Sequence, residues 1–256
     1  TLIPIAKADR FIIAGDHKQL PPTVVSNEPR LKETLFEKLI ERYPNLSSML
    51  TVQYRMHEKI MRFSNLHFYG GRLVADESVR NHTLADLHIR ESTKYPQILN
   101  PKHPLAFVDM SQSDATEAQS SRSTSYYNEA EAALCVDLAK ELLAMGLKAE
   151  DIGIITPYAA QIKRIKKVLE EEDISVETKT VDGFQGQEKE VILISFVRAN
   201  DQGEIGFLKD ARRLNVAVTR ARRKLICIGD AKTLRHDKLF NEFLSFMEKE
   251  GTYLKD

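Results

Sequence analysis

The feature that most constrains this chain is an alternation of short apolar, β-branched runs with longer stretches of helical period. The runs cover residues 11–14, 105–109, 152–156, 176–181, 191–197 and 224–228. Between them, residues 31–42, 56–68, 128–145, 158–171 and 212–222 carry apolar side chains at helical spacing. Strands that alternate with helices predict an α/β fold, a parallel sheet covered by helices on both faces. Ligands of such sheets bind outside the carboxyl ends of the strands, so residues just after a strand carry the most weight.

Two stretches interrupt the pattern. Residues 76–103 are polar and without clear period, and residues 111–125 are rich in Ser, Thr and Gln with no apolar stripe. The second reads as a mobile loop, and both read as plain surface excursions rather than specificity elements. No internal repeat is visible. The run Phe11-Ile12-Ile13-Ala14 ends in Gly15-Asp16 with only a short piece before it. A strand of a parallel sheet needs neighbours, so residues 1–22 read as the tail of a preceding domain.

Length and composition narrow the class. The 256 residues suffice for one sizeable α/β domain with extra pieces, and 42% hydrophobic residues exceed what a disordered chain carries. Apolar runs stay far below the roughly 20 residues that span a bilayer. Residues 1–10 have neither a basic start nor a cleavage pattern, and Cys135 and Cys227 match no metal or redox spacing. They read as reduced core residues of an intracellular protein, cytoplasmic, or nuclear in a eukaryote. His17, His57 and the other histidines form no ligand spacing, so no metal site is expected. The 37 basic residues balance 37 acidic ones, which excludes a uniform basic field. Charge is nonetheless segregated: residues 198–224 hold eight Lys or Arg against three Asp or Glu, an excess of five.

Two pieces of phosphate chemistry are missing. A P-loop needs Gly-x-x-x-x-Gly-Lys-[Ser/Thr], yet none of the eleven glycines is followed by Lys. No apolar strand ends in Asp-Glu, the usual pair that handles Mg²⁺ and water. Four other motifs are present. Gly15-Asp16-His17-Lys18-Gln19-Leu20-Pro21-Pro22 follows a strand candidate, and Gln53-Tyr54-Arg55-Met56-His57 opens a helix. Val181-Asp182-Gly183-Phe184-Gln185-Gly186-Gln187-Glu188 joins two strands, and Arg213-Leu214-Asn215-Val216-Ala217-Val218-Thr219-Arg220-Ala221-Arg222 reads as a helix ending in basic residues. Thr156-Pro157-Tyr158 ends a strand and precedes a helix, so its hydroxyl and the helix amides can hold a phosphate.

In order and content the four motifs resemble motifs III to VI of superfamily 1 helicases, in the branch of the up-frameshift and immunoglobulin mu-binding-protein helicases. The resemblance covers nearly the whole chain, with residues 76–125 weakly matched. It implies a RecA-like sheet. Residues 1–29 then correspond to the tail of a preceding RecA-like domain, with its motif III strand and loop. Residues 30–256 correspond to the C-terminal RecA-like motor domain, with variable segments near 76–103 and 111–125.

The same resemblance implies roles. ATP lies in a cleft between two RecA-like domains, and single-stranded DNA or RNA crosses the top of both. Gln19 senses the γ-phosphate from the first domain, while Arg55 and Arg220 reach it from the second. Tyr54 stacks on the base, Glu188 contacts the ribose or the polar edge of the nucleotide, and Gly186 belongs to the same group. Thr156, Pro157, Thr180 and Asp182 line the strand path, to which Pro21 and Pro22 present backbone. ATP and Mg²⁺ are held mainly by the N-terminal RecA-like domain, the partner within the same protein, and no membrane is involved. An arginine supplied across a domain interface speeds phosphoryl transfer by about 10³ to 10⁵, because its fork of donors matches phosphate oxygens where Lys offers one point charge.

The expected activity is therefore that of part of an ATP-dependent helicase or translocase, inactive as this chain alone. The alternative is a non-catalytic nucleic-acid or partner-binding module, against which the intact Gln19, Arg55 and Arg220 speak. Plainer roles stay open for single residues. Arg220 can form a salt bridge at a helix end, Tyr54 can be a core aromatic, and Glu188 can pair with a Lys. Arg213, Arg222 and Arg223 can serve the surface or a helix dipole as readily as a phosphate.

Overall fold

Six parallel strands form the central sheet: β1 (Leu105–Asp109), β2 (Ile152–Thr156), β3 (Glu177–Thr180), β4 (Lys189–Ser195), β5 (Ala221–Gly229) and β6 (Thr252–Lys255). Their order is β6-β1-β5-β4-β2-β3. The computed structural model describes residues 2–22, 33–121 and 123–255. The helices that matter below are α1 (Leu35–Arg42), α2 (Glu58–Phe68), α3 (Glu129–Ala144), α4 (Ala159–Glu171), α5 (Val181–Phe184), α6 (Ala211–Val218) and α7 (Lys238–Glu250).

The four central strands, β1, β2, β4 and β5, carry apolar runs because both of their faces are covered. With side chains alternating along each strand, Ile152, Ile154, Val191, Leu193, Ile226 and Ile228 share one core with Cys135 and Leu138 of α3 and Ile165 and Leu169 of α4. Ile155, Ile192, Ile194, Leu225 and Cys227 face the other core, with Ile60 and Phe63 of α2, Leu214 of α6, and Phe240, Phe243 and Met247 of α7. This is the expected RecA-like α/β arrangement. Gly153 is required by it: a Cβ there would lie 2.7 Å from the ring of Phe184 and 2.9 Å from Ile192. Both cysteines are buried and free. Among the described residues no helix is long and apolar enough to cross a membrane.

Several expectations need correction. Residues 11–14 form no strand: no ladder pairs them, and Phe11 and Ile12 are 50% and 98% exposed. A strand needs an adjacent strand, and the sheet's edges, β6 and β3, lie elsewhere. The helix expected over 31–42 is described from Leu35, where Thr34 and Glu37 form a reciprocal cap; residues 31 and 32 lie outside the described residues. The helix expected over 212–222 stops at Val218. There the Thr219 hydroxyl turns back to donate to the Asn215 carbonyl at 2.7 Å, and the chain enters β5 at Ala221. Arg220 thus occupies a turn and not a helix end.

The segment 76–103 is more than a surface excursion. Leu84 and Leu99 are fully buried, and three residues of β5 hold the segment in place. His82 Nε2 lies 2.8 Å from the Arg222 carbonyl, and Arg223 donates to the Thr83 carbonyl at 2.9 Å. Lys224 Nζ donates to the carbonyls of His103 (2.7 Å) and Asn100 (3.1 Å), and burial pushes its ammonium down to about 7. The loop at 111–125 includes one short strand, Ala118–Gln119, paired antiparallel with Tyr126–Tyr127. It is tied down by Glu117, which accepts from Arg198 (2.8 Å), the Ala199 amide (2.8 Å) and Asn200 (3.0 Å).

Candidate functional site

The expected site residues gather at two opposite ends of the sheet. Only one of these is the carboxyl end that the fold class favours. Glu188 and Arg220 directly precede β4 and β5, so the cluster they form with Arg55 sits at the amino ends of the strands.

The side chain of Gln53 builds the turn that presents Tyr54 and Arg55. Its Oε1 accepts from the amides of Arg55 (2.9 Å) and Met56 (2.8 Å), and its Nε2 donates to the Met56 carbonyl at 2.8 Å. The next residue, His57, anchors the turn to β5 by donating its amide to the Arg222 carbonyl at 2.9 Å. His57 also caps α2, with Nδ1 accepting from the Lys59 amide at 3.0 Å. Burial, with His82 adding to it, lowers this imidazole to about 4, which keeps the ring neutral and able to accept. Tyr54 is 67% exposed, so it is no core aromatic.

Arg55 forms an ion pair with Glu188 and donates to the Thr219 carbonyl at 3.3 Å. Glu188 pairs with arginines rather than lysine, since Arg222 lies 3.8 Å from its other oxygen. The β4–β5 register slips between Lys189 and Val191. Such a slip re-aims neighbouring side chains; here Glu190, beyond Glu188, pairs with Arg222 (3.0 Å) and Arg223 (2.7 Å). Gly186, at φ 85, supplies the left-handed turn before Glu188.

Arg220 is 2% exposed. Its guanidinium donates to the carbonyls of Val216 (3.0 Å) and Gln187 (3.3 Å), to the Thr219 hydroxyl (3.0 Å) and to Gln19 Oε1 (3.5 Å). All four acceptors are neutral, and among the described residues no carboxylate lies within ion-pairing distance of it. Burial first, then the charge of Arg55, lower its affinity for a proton to a value of about 10.

The loop bearing Gln19 is docked by residues to which the motifs gave no role. Asn215 Nδ2 donates to the Lys18 carbonyl at 2.9 Å and to the Tyr69 hydroxyl at 3.0 Å. Tyr69 in turn donates to Asp16 at 2.7 Å, while Asp16 also accepts from Gln19 Nε2 at 2.9 Å. Burial, then the bond to Asp16, raises the Tyr69 phenol above its ordinary range. Gln185 donates to the Leu20 carbonyl at 3.1 Å, and Leu20 joins the core. A polar Asn215 between Leu214 and Val216 on an apolar helix was the available signal.

At the carboxyl end, Thr156 and Thr180 are register partners on adjacent strands. Thr156 is fully buried, and its Oγ1 has no partner among the described residues. Thr180 Oγ1 accepts from the Gly183 amide at 3.2 Å and so caps α5. Of the α4 amides expected to face a phosphate, that of Ala160 donates to Ser125 Oγ at 3.0 Å, a residue of the 111–125 loop. Asp182 pairs with Arg213 at 3.5 Å. Pro157 and Pro21 are half-buried and Pro22 is exposed.

Glu131, also missed, is fully buried behind this end. Its Oε2 accepts from Ser195 Oγ at 2.7 Å and from the Val197 amide at 2.9 Å. Val197 has φ 74, and the Arg198 amide donates across it to the Phe196 carbonyl at 2.8 Å. That is the strained form of γ-turn, held by a carboxyl that burial raises to about 8. The signal in the sequence was an acidic residue four positions before Cys135 on the buried face of α3. Among the described residues no group of three or more His, Cys, Asp or Glu could hold a metal ion.

A family model described as an AAA domain matches residues 31–232, and a second of the same description matches residues 1–27. The chain is 48% identical over 247 residues to an uncharacterized ATP-dependent helicase of Methanocaldococcus jannaschii, covering 96% of this chain and 36% of that protein. It is 38% identical over 253 residues to the DNA-binding protein SMUBP-2 of Mesocricetus auratus, covering 97% of this chain and 25% of that one. It is 41% identical over 266 residues to the DNA replication ATP-dependent helicase/nuclease DNA2 of Xenopus laevis, again covering 97% and 25%. The chain therefore spans about a quarter to a third of the length of the curated relatives it matches.

Proposed function

This chain belongs to the AAA-domain family as the C-terminal region of a superfamily 1 helicase of the up-frameshift and immunoglobulin mu-binding-protein branch, and on that premise we propose that it is the half of an ATP-driven motor that completes the site from across a cleft. Residues 30–256 act as the second RecA-like motor domain, and residues 1–29 as the end of the first. ATP and Mg²⁺, which the family uses, are held mainly by the P-loop domain. Arg220 and Arg55 offer guanidinium groups to the γ-phosphate, and Gln19 reports its presence. Tyr54 stacks on the base, with Glu188 and Gly186 beside the ribose. The protein works inside the cell, in cytoplasm or nucleus.

The observation that carries this reading is the environment of Arg220. A buried cation is costly unless an anion offsets it, yet this one bonds only neutral oxygens. Donors fixed in advance and aimed where negative charge develops are what phosphoryl transfer needs. Because Gln19 belongs to the loop shared with the first domain, its contact with Arg220 links nucleotide state to domain closure. The same residues give a pure binding module no advantage.

Single-stranded DNA or RNA is proposed to run across the carboxyl ends of β2 and β3. It passes Thr156, Pro157, Thr180 and Asp182 and continues over Pro21 and Pro22. Thr156 is buried and the Thr180 hydroxyl caps α5, so this end must open for their hydroxyls to reach a strand; contacts of this kind go to phosphates and sugars, so little sequence preference is expected.

The test is ATP hydrolysis by this chain alone, with and without single-stranded DNA or RNA. No turnover above background is expected, and adding the P-loop domain in trans should restore it. Strand-stimulated turnover by the chain alone that survives Arg220→Ala would overturn the proposal.

A further inference from the structure

One large aromatic side chain on the strand-facing side has no role in the account so far. Phe207 lies in a short 3₁₀ turn, Gly206–Lys209, and is 58% exposed, although its neighbours Ile205 and Leu208 are buried. The turn is firmly held. Tyr158, 2% exposed, donates its hydroxyl to the Ile205 carbonyl at 3.4 Å and accepts from Arg198 at 3.3 Å. Gly206 has φ 54, and a Cβ there would lie 2.2 Å from Arg198 Nη1 and 2.7 Å from the Tyr158 hydroxyl. The exposed ring thus stands on a rigid support.

Its flanks connect it to both sides of the proposed strand path. The ring of Tyr158, which follows Thr156 and Pro157, is 5.8 Å from that of Phe207. On the other side the Arg213 guanidinium sits 5.5 Å from the Phe207 centroid and donates to the Phe207 carbonyl at 3.4 Å. Arg213 in turn pairs with Asp182 (3.5 Å), two residues beyond Thr180, and with Asp210 (3.8 Å). Phe207 therefore sits between Tyr158, just beyond the end of β2, and Arg213, whose partner Asp182 lies in α5 just beyond the end of β3.

The chemistry selects the ligand. Two carboxylates offset the charge of Arg213, so this place is not a free phosphate cradle. It is a flat apolar ring backed by a planar guanidinium, with more than half its surface open. Every nucleobase has a π-face that such a ring can stack on, whatever the sequence. We infer that Phe207, backed by Arg213, is a base-stacking platform for single-stranded nucleic acid. This rests on the strand path proposed above. Phe207 would then hold one base and give the motor a grip that is blind to sequence.

The test compares two labelled oligonucleotides of equal length, oligothymidylate and one with abasic sugars at every position, bound by the complete protein and read by fluorescence anisotropy. Phe207→Ala should weaken oligothymidylate binding by roughly 5- to 150-fold, the range that stacking of one base supplies. Abasic binding should stay within about twofold, and Phe207→Trp should restore the loss. Equal losses on both oligonucleotides, or none on oligothymidylate, would overturn the platform while wild-type binding still upholds the path. Wild-type protein that binds neither oligonucleotide would sink the path itself, and the platform with it.

Discussion

Arg220 Nη2 lies 3.5 Å from Gln19 Oε1, joining two side chains 201 positions apart. The contact ends a chain of neutral acceptors around a guanidinium that is nearly out of reach of water. A residue placed for folding would have been given a carboxylate, or would have been apolar.

Stability and function should therefore part at this position. Arg220→Met keeps much of the volume and removes a buried charge that no anion offsets, a gain that opposes the loss of its bonds to four neutral acceptors. The Tm of the variant chain should stand at or above that of the wild type. A loss corresponding to several kcal/mol, on the order of what breaking a buried pair costs, would make the arginine a structural pillar.

Asn215→Ala should act through Gln19. The substitution removes the donor to Lys18 and Tyr69 and lets the loop shift. Small misplacements of reacting groups cost roughly 100-fold, so strand-stimulated hydrolysis by the complete protein should fall by roughly 10- to 100-fold. Turnover unchanged within twofold would show that the loop holds Gln19 without Asn215.

Much of this could be read from the residues. The bounds of β1 and β2 follow directly from their apolar runs, and the helices α3 and α4 from their period. Residues 11–14 show the limit: a β-branched run is necessary for a buried strand but carries no information about its neighbour. The helix α7 was legible in principle, with Phe240, Phe243, Leu244 and Met247 on one face, while β6 is too short and polar to stand out. The motifs located Gln19, Arg55, Glu188 and Arg220. What they could not give was the electrostatics, because the missing counter-ion of Arg220 and the proton on Glu131 depend on what packs around them. Residues such as Asn215, Tyr69 and Glu131 act through other residues; a polar residue on a buried helix face marks Asn215 and Glu131 but does not say what they hold, and nothing near Tyr69 marks it.

Glu131 supplies a pH signature. The folded chain keeps its proton up to about pH 8, whereas the unfolded chain releases it near 4.5. Between those values unfolding releases a proton, so this contribution to stability is full below pH 4.5 and is lost as pH rises toward 8. The loss is at most about 1.4 kcal/mol per pH unit. Glu131→Gln keeps an acceptor for Ser195 and Val197 and has nothing to titrate. Melting both proteins from pH 5 to 9 should show the variant gaining on the wild type up to about pH 8 and then running parallel. Curves parallel throughout would mean that the buried carboxyl is already ionised.

The central claim is that Arg220 serves the γ-phosphate from across the cleft. Single-turnover ATP hydrolysis by the complete protein, with single-stranded nucleic acid present, tests it most directly in wild type, Arg220→Ala and Arg220→Lys. The rate should fall by about 10³ to 10⁵ in the alanine variant. Lysine should recover little of it, since one point charge cannot replace the fork, and nucleotide affinity should change by less than about tenfold, because the P-loop domain supplies most of it. A hydrolysis rate within about tenfold of wild type in Arg220→Ala would contradict the account.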